Sequence, residues 1–505
     1  MLPKLKYQNK TRRKQTVSFA GLNLTDMLSE GELTECVGLT GERAPFLSPR
    51  YADRHVCSLG KPNGLFAADG ILYIAAGSEL FAFDGDSVRS VASGLSDEKK
   101  QFAYIGGALC IFPDKKLFSP ESGELCDMEA SVTVSGFDIA ENTVTRTDGG
   151  SFPFSVNDAV TISGYPLYNE NCVTAVITAI DGSTLCFGGN SFRPQTGTSS
   201  ITLKRAVPDL DFICEHDNRL WGVRDNRIYA SWLGMPCNFF AYDTAHSQAS
   251  FYADVGTEGE FTAAVSCPSY IVFAKGDKLH KLYGSKPSNY RLSLSRVSGV
   301  AEGSGDSAVI SNDCVVYNSE DGVYAYGGGE PEYLSFRLGR LGSDACAACS
   351  QGTYYIAVTR DGVRTLFSYD LRRGLWFCDG EKDAVAMTSF KGSVWYLSSK
   401  GELFELGGAS EVGEWSATLA PFTEDASLRR YSRIFLKVWL AKGASLRLSA
   451  DNGAGKKSIY IRHADEDMRY ELPLPLHSGS SLSVSLSGKG KCLVKGIIRE
   501  FYDEG

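Results

Sequence analysis

The chain has 505 residues, and its 60 Asp and Glu outnumber 51 Lys and Arg to give a formal charge of −9. That length exceeds what one hydrophobic core organises, so two or three domains are expected, and the acidic balance speaks against a general nucleic-acid binder. No run approaches the roughly 18 apolar residues that cross a bilayer, and Val17–Leu28 is interrupted by Ser18, Gly21, Asn23, Thr25 and Asp26, so a secretory apolar segment is missing and a soluble chain made in the cytoplasm is expected.

Residues 1–60 read as a basic arm followed by a wrapping extension. Lys4, Lys6, Lys10, Arg12, Arg13 and Lys14 concentrate positive charge on an otherwise acidic chain. Such a run is either a solvated tail or an arm that orders on a neighbouring subunit or on passing nucleic acid. Beyond it the sequence is turn-rich apart from the alternation in Phe19–Leu24. The stretch Val17–Leu24 is a candidate to supply a strand that closes a ring of sheets, because an open ring leaves unpaired edges.

Residues 61–128 carry two copies of a repeated pattern, at Gly64–Gly85 and Phe102–Gly123: apolar strand, Gly-containing turn, apolar strand, polar turn, apolar strand. Five more copies follow in 208–410, at Asp211–Gly234, Glu260–Gly284, Ala308–Gly327, Ala345–Gly374 and Ala384–Gly408. Each places a turn pair between two strand-like runs, namely Asp225-Asn226, Gly276-Asp277, Asp321-Gly322, Asp361-Gly362 and Lys400-Gly401. The later copies recur at roughly 40 to 50 residues, the period of four-stranded propeller blades. Seven units are expected.

The second and third units are separated by a Thr/Val/Ile-rich insert at 129–207, with turns at Asp148-Gly149-Gly150, Asn157-Asp158, Asp181-Gly182 and Gly188-Gly189-Asn190. Its pattern predicts a small β-barrel. Insertions of this kind project from one face and commonly carry contacts. After the last unit, 411–505 contains strictly alternating runs such as Tyr431–Leu440, Ala444–Ala450 and Ser481–Leu486, which predict a C-terminal β-sandwich. The fold class expected is therefore all-β: a propeller of about seven blades with an inserted barrel and a terminal sandwich.

Residues with chemical potential are scattered. Most of the 14 cysteines lie in apolar runs, for example Cys110, Cys186, Cys214, Cys314 and Cys492, and read as reduced core residues. Cys346 and Cys349 form a lone C-x-x-C with no second pair or neighbouring histidine to complete a zinc site. His55, His216, His246, His280, His463 and His477 occur singly. Asp451–Lys457 faintly resembles a phosphate loop but lacks its first Gly and the Ser or Thr after Lys. No catalytic residues, metal ligands or cofactor are expected, and no enzyme.

Four stretches carry a resemblance: Gly31–Arg50, Asn218–Gly234, the Gly327–Pro331 corner with Ser335, and the ending GKGKCLVKGIIREFYDEG. They look like segments of virion proteins of tailed bacteriophages and prophages, and the order of parts is similar too. The resemblance implies a tail hub or nozzle: a non-enzymatic homo-oligomeric ring around the DNA exit channel, in contact with other tail and neck proteins, located in the virion tail after synthesis in the bacterial host. An acidic lumen would let double-stranded DNA slide past without sticking. The alternative is a receptor- or glycan-binding propeller using Trp221, Trp232, Trp376, Trp395 and Trp415, or a propeller glycoside hydrolase. Trp221, Trp376 and Trp395 recur at similar hairpin positions, which favours packing between sheets over ligand contact.

Overall fold

The computed structural model describes residues 11–165, 168–189, 192–197, 200–242, 246–423, 428–464, 468–475 and 477–503. Among them every regular element except three short 3-10 turns is a β-strand. The chain divides into two compact units, one comprising Met1–Leu59, Asp306–Asn312 and Val316–Gly505, the other Gly60–Gly305 and Asp313–Val315.

The Gly60–Gly305 unit holds four antiparallel sheets of the same up-and-down order. They are Pro62–Ala68 to Val88–Ser93, Gln101–Ile105 to Glu124–Asp127, Phe212–His216 to Phe251–Asp254, and Ala263–Cys267 to Arg291–Ser295. Tight turns produce this order. Asp217 and Asn218 both have positive φ, 50° and 57°, and directly join the paired residues His216 and Arg219. Two left-handed residues match the natural twist of a hairpin, and Asn and Asp tolerate that conformation. The first strand of each sheet lies beside the first strand of the next. The sheets are joined by shared cores, such as that in which Trp221, Val223 and Ile228 meet Ile271 and Phe273.

Between the second and third of these sheets, Ala130–Arg205 forms an eight-stranded antiparallel sheet. It has its own core, in which Phe137, Ile162, Ile177 and Leu203 are completely buried.

The other unit contains the sheet from Ser343–Ser350 to Leu375–Glu381 and a last four-stranded sheet built from Ala386–Phe390, Ser393–Leu397, Glu402–Glu405 and Arg54–Ser58. The outermost strand of this last sheet comes from the N-terminal region, but it is Arg54–Ser58 and not Val17–Leu24. The latter segment forms no strand. Phe19 and Leu22 are buried instead, and the Leu22 amide donates to the Trp376 carbonyl at 2.7 Å. Four further short strands, Val309–Ser311, Cys314–Asn318, Val323–Tyr326 and Glu332–Tyr333, have the same meander order.

Two five-stranded sheets complete this unit. The first runs Thr11–Thr16, Cys492–Asp503, Arg429–Leu440, Arg469–Pro473, with Ser478–Gly479 also paired to Arg429–Leu440. The second runs Leu33–Val37, Glu414–Leu419, Ser483–Lys489, Ser445–Asp451, Lys456–Ile461. Leu436, Leu446, Val494 and Ile497 are completely buried in the same core. Each sheet takes an edge strand from the first 40 residues, so the C-terminal residues alone do not make up these sheets.

Candidate functional site

The basic arm is partly strand. Lys4, Lys6 and Lys10 lie outside the described residues. Arg12, Arg13 and Lys14 sit in strand Thr11–Thr16, paired residue by residue with Cys492–Asp503, where a free arm was expected. The physical reason is a set of ion pairs that hold the strand. Arg13 donates to Glu500 at 2.8 Å and stacks over Phe435, and Lys14 meets Glu30 at 3.0 Å. Arg499, completely buried, donates to both oxygens of Glu30 and to the Thr16 hydroxyl. These cations are engaged within the chain, which reduces what the arm can offer to a nucleic acid.

A second charged centre lies behind the strand Arg54–Ser58. Asp53 accepts four hydrogen bonds: Arg50 at 2.9 Å, Lys382 at 2.6 Å, the Tyr396 hydroxyl at 2.7 Å and the Gly407 amide at 3.0 Å. Arg50 also donates to Asp379 at 3.1 Å. Burial alone would raise the Asp53 carboxyl, but the charges of Arg50 and Lys382 and these hydrogen bonds override it and hold it at about 2. The Tyr396 hydroxyl is pushed up by burial and by the facing carboxylate. A carboxylate so fully supplied with donors is fixed in its ionised form and has no lone pair turned toward a substrate. It works as a cross-link between the N-terminal segment and two sheets. An open cavity of about 340 Å3 adjoins it, lined by Arg50, Tyr51, Tyr355, Arg372 and Arg373 among others. Arg373 is tied to Asp370 at 2.7 Å.

Other residues singled out by sequence find structural places. Among the described residues no three or more of His, Cys, Asp and Glu gather into a metal-binding group. Cys346 and Cys349 share the strand Ser343–Ser350 three positions apart, so they face opposite sides and cannot chelate one ion. Asp451–Lys457 spans the turn between two paired strands, with the Asp451 carboxylate accepting from the Gly453 amide.

The tryptophans proposed as ligand platforms are buried. Trp221, Trp376 and Trp395 donate their indole N–H groups to the carbonyls of His216, Leu334 and Phe390. Trp415 is packed in the core shared by the two five-stranded sheets, and Trp232 is 7% exposed. The Asp53 centre was not found by sequence reasoning. Its members are spread from Arg50 to Gly407, and the only local signal is the Arg-Tyr-Ala-Asp run at 50–53.

No family model matches the chain, nor does any curated protein. Among solved structures it is similar to BamB from Moraxella catarrhalis, at 13% identity and a TM-score of 0.35 over 78% of this chain and 97% of that one. It is also similar to AztD from Citrobacter koseri, at 10% and 0.32 over 63% and 87%, and to Hsv2 from Kluyveromyces lactis, at 7% and 0.28 over 64% and 98%. Identities this low leave function to be argued from the residues.

Proposed function

We propose that the chain is a structural component of a tailed-phage virion, a tail hub or nozzle that forms a ring of copies around the DNA exit channel. In this reading the repeated four-stranded sheets are the blades of a single seven-bladed propeller closed by Arg54–Ser58, and the Ala130–Arg205 sheet is a barrel projecting from it. The observation that carries the proposal is where the phage-like segments fall. Gly31–Arg50 supplies the edge strand Leu33–Val37, and the C-terminal ending supplies Cys492–Asp503, the strand that pairs with both Thr11–Thr16 and Arg429–Leu440. Two of the four resembling stretches therefore belong to the framework that ties the two ends of the chain together, while Asn218–Gly234 lies in one of the repeated four-stranded sheets. Rigid sheets lose little conformational freedom on assembly, and closed rings are the usual product of head-to-tail contacts that close.

The test is the mass of the purified protein by light scattering, followed by negative-stain imaging alone and with the products of neighbouring virion genes. Closed rings, alone or on a partner ring, are expected. A monomer that joins no partner overturns the reading. The lumen of such a ring is expected to be acidic, and a basic lumen would contradict the sliding role assigned to the net charge.

A further inference from the structure

An open groove of about 760 Å3 runs between the eight-stranded insert and the segment after strand Arg227–Ala230. One wall is the outer face of strand Thr174–Asp181. Thr174 and Thr178 are exposed there with Val176 between them, while Ala175 and Ile177 point into the insert core. The opposite wall is aromatic: Trp232 forms the floor, Phe240 is half-buried, and Tyr242 and His246 are exposed beside it.

Hydrogen bonds and ring contacts tie the described walls of this groove together. The buried Asn238 side chain accepts from the Ala159 amide at 3.2 Å and donates to the Asn157 carbonyl, stitching the aromatic segment to the insert. Asp158, next to these residues, is locked to Arg205 at 2.7 Å. Tyr242 is 42% exposed yet braced: its ring lies edge-on to Phe240 and 4.9 Å from Tyr252. Tyr252 in turn is capped by Arg227, whose guanidinium is fixed by two bonds to Asp254. An exposed aromatic face kept in one orientation is ready to receive a flat apolar surface without further ordering.

The lining chooses the class of ligand. Among the described residues its lining contains no Lys, Arg, Asp or Glu, and these residues offer a phosphate, carboxylate or charged peptide no counter-charge. It does contain hydroxyls and an amide opposite the rings, and a purely apolar ligand would leave these without water. Thr174 shares a hydrogen bond with Thr161, and Thr178 donates to the Cys186 carbonyl at 3.2 Å, so both hydroxyl oxygens are oriented and each keeps acceptor capacity. A sugar ring satisfies both walls. Its C–H face is apolar and weakly positive, suited to the negative face of an aromatic ring, and its rim carries hydroxyl donors.

We propose that this groove binds a neutral oligosaccharide, with one hexose ring stacked on Tyr242 and hydroxyls of successive sugar units donating to Thr174 and Thr178 across the groove. The site uses no residue on which the ring-assembly reading depends, so either can fail without the other.

The experiment uses the full chain and a panel of short neutral gluco-, galacto- and manno-oligosaccharides, with sialylated and phosphorylated glycans and an uncharged apolar peptide tested beside it, read by NMR saturation transfer and calorimetry. Saturable binding of at least one member is expected. Tyr242→Ala should weaken it roughly tenfold, the loss of about 1.4 kcal/mol of contact. Thr178→Arg fills the groove from the insert wall at an exposed strand position, so it is expected to fold and to weaken binding similarly even if Tyr242→Ala does not fold. Absence of binding across the panel overturns the proposal, as does binding that both variants leave intact. A clear preference for sialylated or phosphorylated glycans, or for an uncharged apolar peptide, also overturns it.

Discussion

Arg499 and Glu30, 469 residues apart in sequence, meet as a two-pronged pair with N–O distances of 3.1 and 2.9 Å. The guanidinium is completely buried and lies 4.4 Å from the Phe422 ring, while the Glu30 side chain remains 34% exposed. Removing the carboxylate would strand a buried cation, which costs far more than the pair itself contributes. Glu30→Gln is therefore expected to lower stability by about 1–3 kcal/mol, below the usual range for a buried pair because water still reaches Glu30. Arg499→Met with Glu30→Gln should cost less than the sum of the two single changes. Denaturant midpoints of the three variants check this, and strict additivity would contradict it.

The pH dependence follows from three groups with lowered values. Burial pulls His280 down from 6.5 to about 4, helped by the charge of Lys275, and its Nε2 pairs with the Thr257 hydroxyl at 3.1 Å. The unfolded chain then binds a proton that the folded chain refuses, so stability falls as pH drops from 6.5 toward 4. Burial would raise Glu30, but hydrogen bonds from Arg499, Thr16 and Lys14 bring it to about 2, and Asp53 is likewise held at about 2. Their contributions are intact above about 4.5 and are lost as pH falls from there toward 2. Hydrogen exchange as a function of pH should show protection near 270–283 weakening first, and that near 11–16 and 50–58 weakening only below about 4.5. His280→Gln should flatten the upper window alone.

Hairpins were legible in the sequence because their signals are local: Asp225-Asn226 and Gly276-Asp277 each join directly paired residues, Arg224 with Arg227 and Lys275 with Lys278. The all-β class followed from such turns. What closes the last sheet was not legible. Phe19–Leu24 alternates as an edge strand does, whereas Arg54–Ser58 has the sequence RHVCS with little apolar rhythm, and it is placed by pairing with Glu402–Glu405 and by the neighbouring Asp53 cross-link. Charge at the start of the chain suggested a free arm because its partners, Glu500 and Glu30, cannot be recognised as partners before the fold brings them together. The groove at Tyr242 escaped notice for the same reason, since its two walls come from separate stretches of the chain.

Gly21 marks how closely the N-terminal segment approaches the sheet beneath it. A Cβ built there would sit 2.4 Å from the Trp376 carbonyl oxygen and 2.7 Å from its amide nitrogen, and neither backbone atom can rotate away. Gly21→Ala is thus expected to push the segment off strand Leu375–Glu381, break the hydrogen bond from Leu22, and cost about 2–4 kcal/mol. Thermal melting and protease sensitivity at residues 17–32 measure it. An unchanged melting temperature would show that the segment is held more loosely than this packing requires.

The cysteines offer a chemical check on the packing. All 14 are free thiols in the structure, and only Cys126 and Cys172 are exposed. Burial pushes the thiols of Cys36, Cys110, Cys214 and Cys492 well up, so they stay protonated and poorly nucleophilic at neutral pH. An aromatic disulfide reagent added to the native, reductant-free protein should therefore react rapidly with two thiols, identified by mass spectrometry as Cys126 and Cys172. The half-buried thiols should follow slowly, at rates set by local opening, and the fully buried ones only on larger unfolding. Denaturing the same sample should bring the count to 14. A lower final count would reveal disulfides that this packing does not provide, and rapid labelling of Cys36 or Cys492 would mean that the sheets joined by the two ends of the chain open far more readily than their buried ion pairs and shared core predict.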